Sequence, residues 1–148
     1  MIIFLGISGA GKTTCSKILV DHLNSNNIRA INVDDDAFRK VIPQEEIIRV
    51  DYPGDQIRKP INEARRLEAL GYVVVLSIFA NYNNFFKSFL ASKDKIFEII
   101  NTGYNIKDKE WGRNKYFKPD YSKLEKIDYL TFKDNVNIIY NKRINNGI

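Results

Sequence analysis

Apolar and polar positions divide the chain into alternating strand-like and helix-like stretches. Residues 1–6 are a short apolar run, Met1-Ile2-Ile3-Phe4-Leu5, closed by Gly6, the pattern of a strand buried on both faces. Over 12–23, Cys15, Ile18, Leu19 and Leu23 recur at helical spacing, and the polar residues 24–27 predict a turn. Residues 28–33 read as a second strand running into Asp34-Asp35-Asp36, and a short helix over 37–42 is stopped by Pro43. Pro53-Gly54 marks a turn. A helix over about 55–70 follows, with Ile57, Ile61, Ala64, Leu67 and Leu70 on one face and Gly71 just past its end. Pro60 inside that span predicts a kink or a later start. Three consecutive valines make 72–79 a central strand. A helix over 83–90, a strand over 95–100, a last strand over 129–132 and a last helix over 135–143 complete the pattern. Residues 102–122 have no clean period and are polar, basic and aromatic, as suits a lid.

Strands alternating with helices predict a parallel α/β sheet with right-handed crossovers and a site at the strands' carboxyl ends. A length of 148 residues fits a single domain, 1–148, and neither an internal repeat nor a linker interrupts it. The apolar fraction of 44% is enough for a core, yet no apolar run approaches the roughly 20 residues that span a bilayer. The apolar start lacks a positive leader and meets a glycine-rich loop at once, which favours a core strand over a signal peptide. A single cysteine, Cys15, excludes an internal disulfide and suits a reducing, cytoplasmic compartment.

The chemistry is concentrated just after the first strand. Gly6-Ile7-Ser8-Gly9-Ala10-Gly11-Lys12-Thr13 satisfies the G-x-x-x-x-G-K-[ST] pattern, between an apolar strand and an amphipathic helix. The glycines permit a tight loop whose N–H groups converge on phosphate oxygens, and the helix N-terminus adds partial positive charge. Ser8, Gly9, Ala10, Gly11, Lys12, Thr13 and Thr14 are therefore the expected ATP-binding residues, with Lys12 on the β- and γ-phosphates and Thr13 as a Mg²⁺ ligand. The carboxylates Asp34, Asp35 and Asp36 end the second strand, where one can hold a Mg²⁺-bound water and another can take a proton from an acceptor hydroxyl. Arg39 and Arg58 are candidates for bidentate binding of an acceptor's phosphate or sulfate.

These residues resemble the adenylylsulfate kinase family. Its Gly-Leu-Ser-Gly-Ser/Ala-Gly-Lys-Thr-Thr loop is matched by residues 6–14, and its Asp-Gly-Asp-Asn-Val-Arg element resembles Asp34-Asp35-Asp36-Ala37-Phe38-Arg39. Its Glu-Asn-Ile-Arg-Arg helix start resembles Asp55-Gln56-Ile57-Arg58-Lys59, and residues 71–82 resemble the strand that follows. Phe97-Glu98-Ile99-Ile100 echoes a further strand, so the likeness runs over about 1–101. The resemblance implies a P-loop NTPase fold, a parallel sheet flanked by helices in a three-layer sandwich like that of nucleoside-monophosphate kinases. It implies phosphoryl transfer from ATP, with Mg²⁺, to the ribose 3′-hydroxyl of a small nucleotide acceptor. Lys12, Asp34 and Asp36 would be catalytic, Asp34 acting through Mg²⁺ and Asp36 facing the acceptor hydroxyl. Arg39 and Arg58 would grip the acceptor's anionic group, Phe79 would border it, and Lys115 would belong to the lid through the analogue Asn114-Lys115-Tyr116-Phe117-Lys118. A homodimer is implied as well.

The sequence departs from the family around the acceptor. Asp35 stands where the family has glycine, Ala37 where it has asparagine, and Ala80-Asn81-Tyr82-Asn83 where it has Ser-Pro-Tyr-Arg. The chain also resembles the branch that phosphorylates cytidine diphosphoramidate in capsule biosynthesis.

A net charge of +5 is compatible with nucleic acid or with small polyanions, and the scattered placement of Lys and Arg favours the latter. A regulatory GTPase needs an Asn-Lys-x-Asp element, which does not occur. A nucleic-acid-binding module would use Tyr104, Trp111, Tyr116, Phe117 and Tyr121 as a stacking platform, whereas a lid over a nucleotide has the same composition. Cys15 is expected to be buried and His22 to face solvent, with no second metal ligand spaced to join it. Tyr82, Phe85, Phe86 and Phe89 are expected in the core or at a dimer surface.

Overall fold

The computed structural model describes residues 1–6, 10–34, 53–78, 93–102 and 124–145, with the backbone alone over 53–58. Its central strand, β1 (Ile2–Leu5), is buried at all four positions because it is covered on both faces. Helix α1 (Lys12–Ser25) follows, then β2 (Ala30–Asp34), α2 (Pro53–Ala69), β3 (Val73–Ile78), β4 (Lys95–Ile100) and β5 (Glu125–Asp128). Two short helices, α3 (Tyr129–Asp134) and α4 (Val136–Ile139), lead into a π-helical turn, Tyr140–Ile144. The strands form one parallel sheet in the order β2-β3-β1-β4-β5. This is the parallel α/β architecture expected from the alternation of elements.

Side-chain alternation along the strands separates two cores. Ile3 and Leu5 join Val74, Leu76 and Ile78 against Ile61, Ala64 and Leu67 of α2. Ile2 and Phe4 join Val75 and Phe97 against Cys15, Leu19 and Leu23 of α1, with Phe132, Ile139 and Ile144 from the C-terminal helices. Phe4 meets Phe97 and Phe132 edge-on, the arrangement that ring quadrupoles favour. The three-layer sandwich follows from that division.

Three sequence expectations change in detail. Helix α2 begins at Pro53, not later, and runs through the buried Pro60. Proline is well suited to a first helical position, where its missing N–H is not needed. At the other end Gly71, at φ 96°, closes α2 as expected: its N–H bonds the Glu68 carbonyl and the Tyr72 N–H bonds the Leu67 carbonyl. The last strand lies at Glu125–Asp128, and 129–132 is helical. The Asp128 carboxylate accepts from the Leu130 N–H and so starts α3, while the edge strand before it buries only Ile127 and gives little apolar signal. His22 is half-buried rather than solvent-facing, with its ring 6.0 Å from that of Tyr140.

At the amino ends of the strands, the Arg65 guanidinium binds the buried Asp94 carboxylate at 2.6 Å and Glu68 at 2.9 Å. The Met1 amino group binds Asp94 and Glu68 as well. This network fastens α2 to the sheet at the end away from the loop after β1. Among the described residues, no helix is long and apolar enough to cross a membrane. The expected helices over 37–42 and 83–90 and the lid beyond Thr102 lie outside the described residues.

Candidate functional site

The carboxyl ends of β1, β2 and β3 bring Gly6, Asp34 and Ser77 to one edge of the sheet, where α1 begins. Gly11 caps α1 at φ 102°, a left-handed conformation suited to glycine, and its carbonyl accepts from the Cys15 N–H at 2.8 Å. A side chain there would also meet the Tyr129 ring at 2.7 Å, so Tyr129 packs directly against the loop backbone. Gly6 is needed for a different reason. A Cβ at Gly6 would come within 2.9 Å of the Ile99 carbonyl oxygen and 3.3 Å of Lys12 Cγ. The bare backbone thus leaves a channel for the Lys12 stem, and Lys12 is only 8% exposed.

Thr13, in the first turn of α1, donates from Oγ1 to Asp34 Oδ2 at 2.6 Å. The two residues are far apart in sequence, and the meeting of α1 with the tip of β2 makes them neighbours. Hard oxygen donors so placed fit Mg²⁺, which takes one or two protein ligands and completes its shell with water and substrate phosphates. The fit extends no further: among the described residues, no group of three or more His, Cys, Asp or Glu could hold a metal ion.

Beneath this pair lies a polar chain that runs from the half-buried Asn32 to two buried serines. Asn32 Nδ2 donates to the Val75 carbonyl at 2.8 Å and to Ser77 Oγ at 3.0 Å. Ser77 Oγ is hydrogen-bonded to Ser16 Oγ, and Ser16 Oγ donates to the Lys12 carbonyl at 2.8 Å. Ser16 and Ser77 are both fully buried. A polar residue at the inward position of an apolar strand was the available sequence signal, and Asn32 and Ser77 both carry it.

Asp128 occupies the tip of β5, the edge strand on the other side of β1 and β4. It accepts from Thr102 Oγ1 at 2.6 Å and from the Thr102 N–H at 3.3 Å, besides capping α3. Burial raises its pKa, but the hydrogen bonds from Thr102 and Leu130 outweigh it and hold the carboxyl below its ordinary value. Thr102, where the expected lid begins, is therefore anchored at β5.

Of the expected site residues, Ala10, Gly11, Lys12, Thr13 and Asp34 converge here, and Thr14 is exposed on the first turn of α1. Ser8, Gly9, Asp36, Arg39, Phe79 and Lys115 lie outside the described residues, as does the side chain of Arg58.

Cys15, next to this turn, is fully buried as expected. Burial pushes its thiol up to about 12, and the Asp128 carboxylate adds to the effect. The resulting stability is complete below the ordinary thiol value and is lost as pH rises toward about 12. Because only the thiolate reacts, iodoacetamide at pH 8 should label folded protein on the order of 10³-fold more slowly than the urea-unfolded chain. Equal rates would show an accessible thiol.

The sequence profile of the adenylylsulphate kinase family matches residues 1–108. No curated protein matches the chain by sequence. Among solved structures, the Mycobacterium tuberculosis APS kinase CysC in complex with AMPPNP and APS superposes with a TM-score of 0.72 at 13% identity, covering 95% of this chain and 94% of that one. APE1195 superposes with a TM-score of 0.71 at 17% identity, covering 95% and 93%. Shikimate kinase from Aquifex aeolicus gives 0.52 at 19% identity over 99% and 100%. At these identities the structures support the P-loop kinase fold, and the profile carries the assignment. The chain belongs to the adenylylsulphate kinase family and is an ATP-dependent phosphotransferase acting on an alcohol group.

Proposed function

We propose that this kinase transfers the γ-phosphate of ATP to the ribose 3′-hydroxyl of a small nucleotide bearing a diphosphate-like anionic group. The Thr13–Asp34 contact at 2.6 Å, beside the buried Lys12, carries the phosphate half of the reading. Residues 8–14 cradle the triphosphate with backbone amides, and Lys12 places its charge at the β- and γ-phosphates. Thr13 and Asp34 would hold Mg²⁺, which neutralises charge on those phosphates when bound. Asp36 orients the acceptor hydroxyl and takes its proton. Arg39 and Arg58 bind the acceptor's anionic group, Phe79 borders it, and Lys115 belongs to the segment that excludes water. The domain acts as one unit, 1–148, in a homodimer and in the cytoplasm.

Adenylyl sulfate is the acceptor suggested by the family and by the ligands of the mycobacterial neighbour. Cytidine diphosphoramidate is the second reading, favoured by Asp35 and Ala37, which stand where the family element carries glycine and asparagine. Both present a 3′-hydroxyl beside a charged diphosphate-like group. An ADP-release assay with adenylyl sulfate, cytidine diphosphoramidate, free nucleosides, shikimate and gluconate tests the assignment. Turnover with one of the first two is expected, and turnover confined to shikimate or gluconate would overturn it.

A further inference from the structure

The chain Asn32–Ser77–Ser16, buried at both serines, has a fixed direction. The Lys12 carbonyl can only accept, so Ser16 donates to it. Ser16 then has an acceptor position left for its partner, and Ser77 must donate. The Val75 carbonyl likewise fixes the Asn32 amide as a donor, so Asn32 donates to Ser77. Each hydroxyl accepts once and donates once, and the chain ends on the carbonyl of Lys12.

Its placement gives it a task. Thr13 and Ser16 are three residues apart on α1, so they share a face. Asn32 and Asp34 are two apart on β2 and also share a face, and Ser77 on β3 pairs in register with Asp34. Helix and sheet therefore meet through two polar rungs: Thr13 with Asp34 at the rim, and Ser16 with Ser77 and Asn32 one turn deeper. Apolar packing of Cys15, Leu19 and Leu23 holds α1 on the sheet but is non-directional, and a single polar rung adds one directional contact. The second rung adds directional contacts one turn on, which refine the setting of the first turn and with it the direction of the Thr13 hydroxyl. We propose that Ser77 is a positioning residue, and that the chain Asn32→Ser77→Ser16→Lys12 carbonyl sets the first turn of α1 so that Thr13 and Asp34 present their oxygens jointly to the metal of a bound metal–nucleotide complex. The inference rests on the reading of Thr13 and Asp34 as the Mg²⁺ pair.

Removing the Ser77 hydroxyl strands no buried donor. In Ser77→Ala the Ser16 hydroxyl keeps the Lys12 carbonyl, and the Asn32 amide keeps the Val75 carbonyl. The variant therefore folds, and its defect can be read in binding. The experiment is calorimetric titration of AMPPNP into wild type, Ser77→Ala, Ser16→Ala and the double variant, with Mg²⁺ and again with EDTA. The wild type is expected to bind more tightly with Mg²⁺. Each single variant is expected to lose about tenfold of that Mg²⁺-dependent gain, the scale seen for outer-shell partners of a metal. Affinity in EDTA should change by less than about twofold, and the double variant should lose no more than either single one, because both cut the same chain.

A Mg²⁺ gain unchanged in both single variants overturns the positioning role and leaves the metal pair standing. Equal losses with Mg²⁺ and with EDTA overturn it too, since they mark general damage to the loop. A wild type with no Mg²⁺ gain removes the metal reading itself, and the positioning role with it.

Discussion

Replacing Lys12 with methionine is expected to lower kcat by about 10³-fold, equivalent to about 4 kcal/mol of transition-state stabilisation. The physical reason is the channel left by Gly6. A side chain at Gly6 would crowd the Lys12 stem, and little of Lys12 reaches solvent. Methionine fills the same channel with a flexible chain of similar length, so packing is retained while the charge is lost. An ammonium in a water-poor site acts on phosphate oxygens with little screening, which is why its removal costs far more than that of a surface charge. Arginine should not restore activity, because its planar fork is wider than the space that an ammonium needs. Steady-state kinetics of ADP release on Lys12→Met and Lys12→Arg check this, with circular dichroism to show that both fold. A fall in kcat of less than tenfold in Lys12→Met would mean that the ammonium does not face the transferring phosphate.

Much of the fold is legible in the sequence, for reasons that can be named. The run from Ile2 to Leu5 is apolar on both faces because β1 is covered by helices on both sides. The stop after α2 was readable because a helix that ends in a left-handed turn selects glycine, and Gly71 supplies it. The phosphate loop was readable because its chemistry demands particular residues at fixed spacing. What escaped was set by tertiary contact. In Glu125–Asp128 only Ile127 is buried, so the edge strand has the pattern of a polar loop, and the β-prone Tyr129, Thr131 and Phe132 place the expected strand downstream. Asp128 decides the matter by capping α3, and it also anchors Thr102.

The polar chain under α1 was hidden for another reason. Serine and asparagine in isolation predict turns and caps, and nothing local says that Asn32, Ser77 and Ser16 meet. Only the parallel register of β2 on β3, with α1 laid across both, brings them together. The same geometry brings Thr13 of the loop motif and Asp34, the first carboxylate of the acidic run, to one place. The tips of β2 and β3 lie side by side, and α1 starts beside them. At the opposite end of the sheet, the Arg65–Asp94–Glu68 network fastens α2 to the strands.

Asp34→Asn is expected to raise the Mg²⁺ concentration needed for half-maximal activity by about 10- to 100-fold, and to lower kcat at saturating Mg²⁺ by about 10²-fold. The substitution keeps an oxygen that can accept from the Thr13 hydroxyl, so local packing survives and the loss belongs to the charge. Thr13→Val makes the complementary change, keeping the branched shape while deleting the hydroxyl, whereas Thr13→Ser keeps the hydroxyl and should stay within about threefold of wild type. Because both oxygens serve one ion, the Asp34→Asn/Thr13→Val double variant should be little worse than the poorer single one. Two independent losses would multiply, and that separates a shared ligand set from two unrelated contacts. A Mg²⁺ titration of all four variants decides between them. Multiplicative losses, with no shift in Mg²⁺ dependence, would reduce the Thr13–Asp34 contact to a helix-to-strand tie.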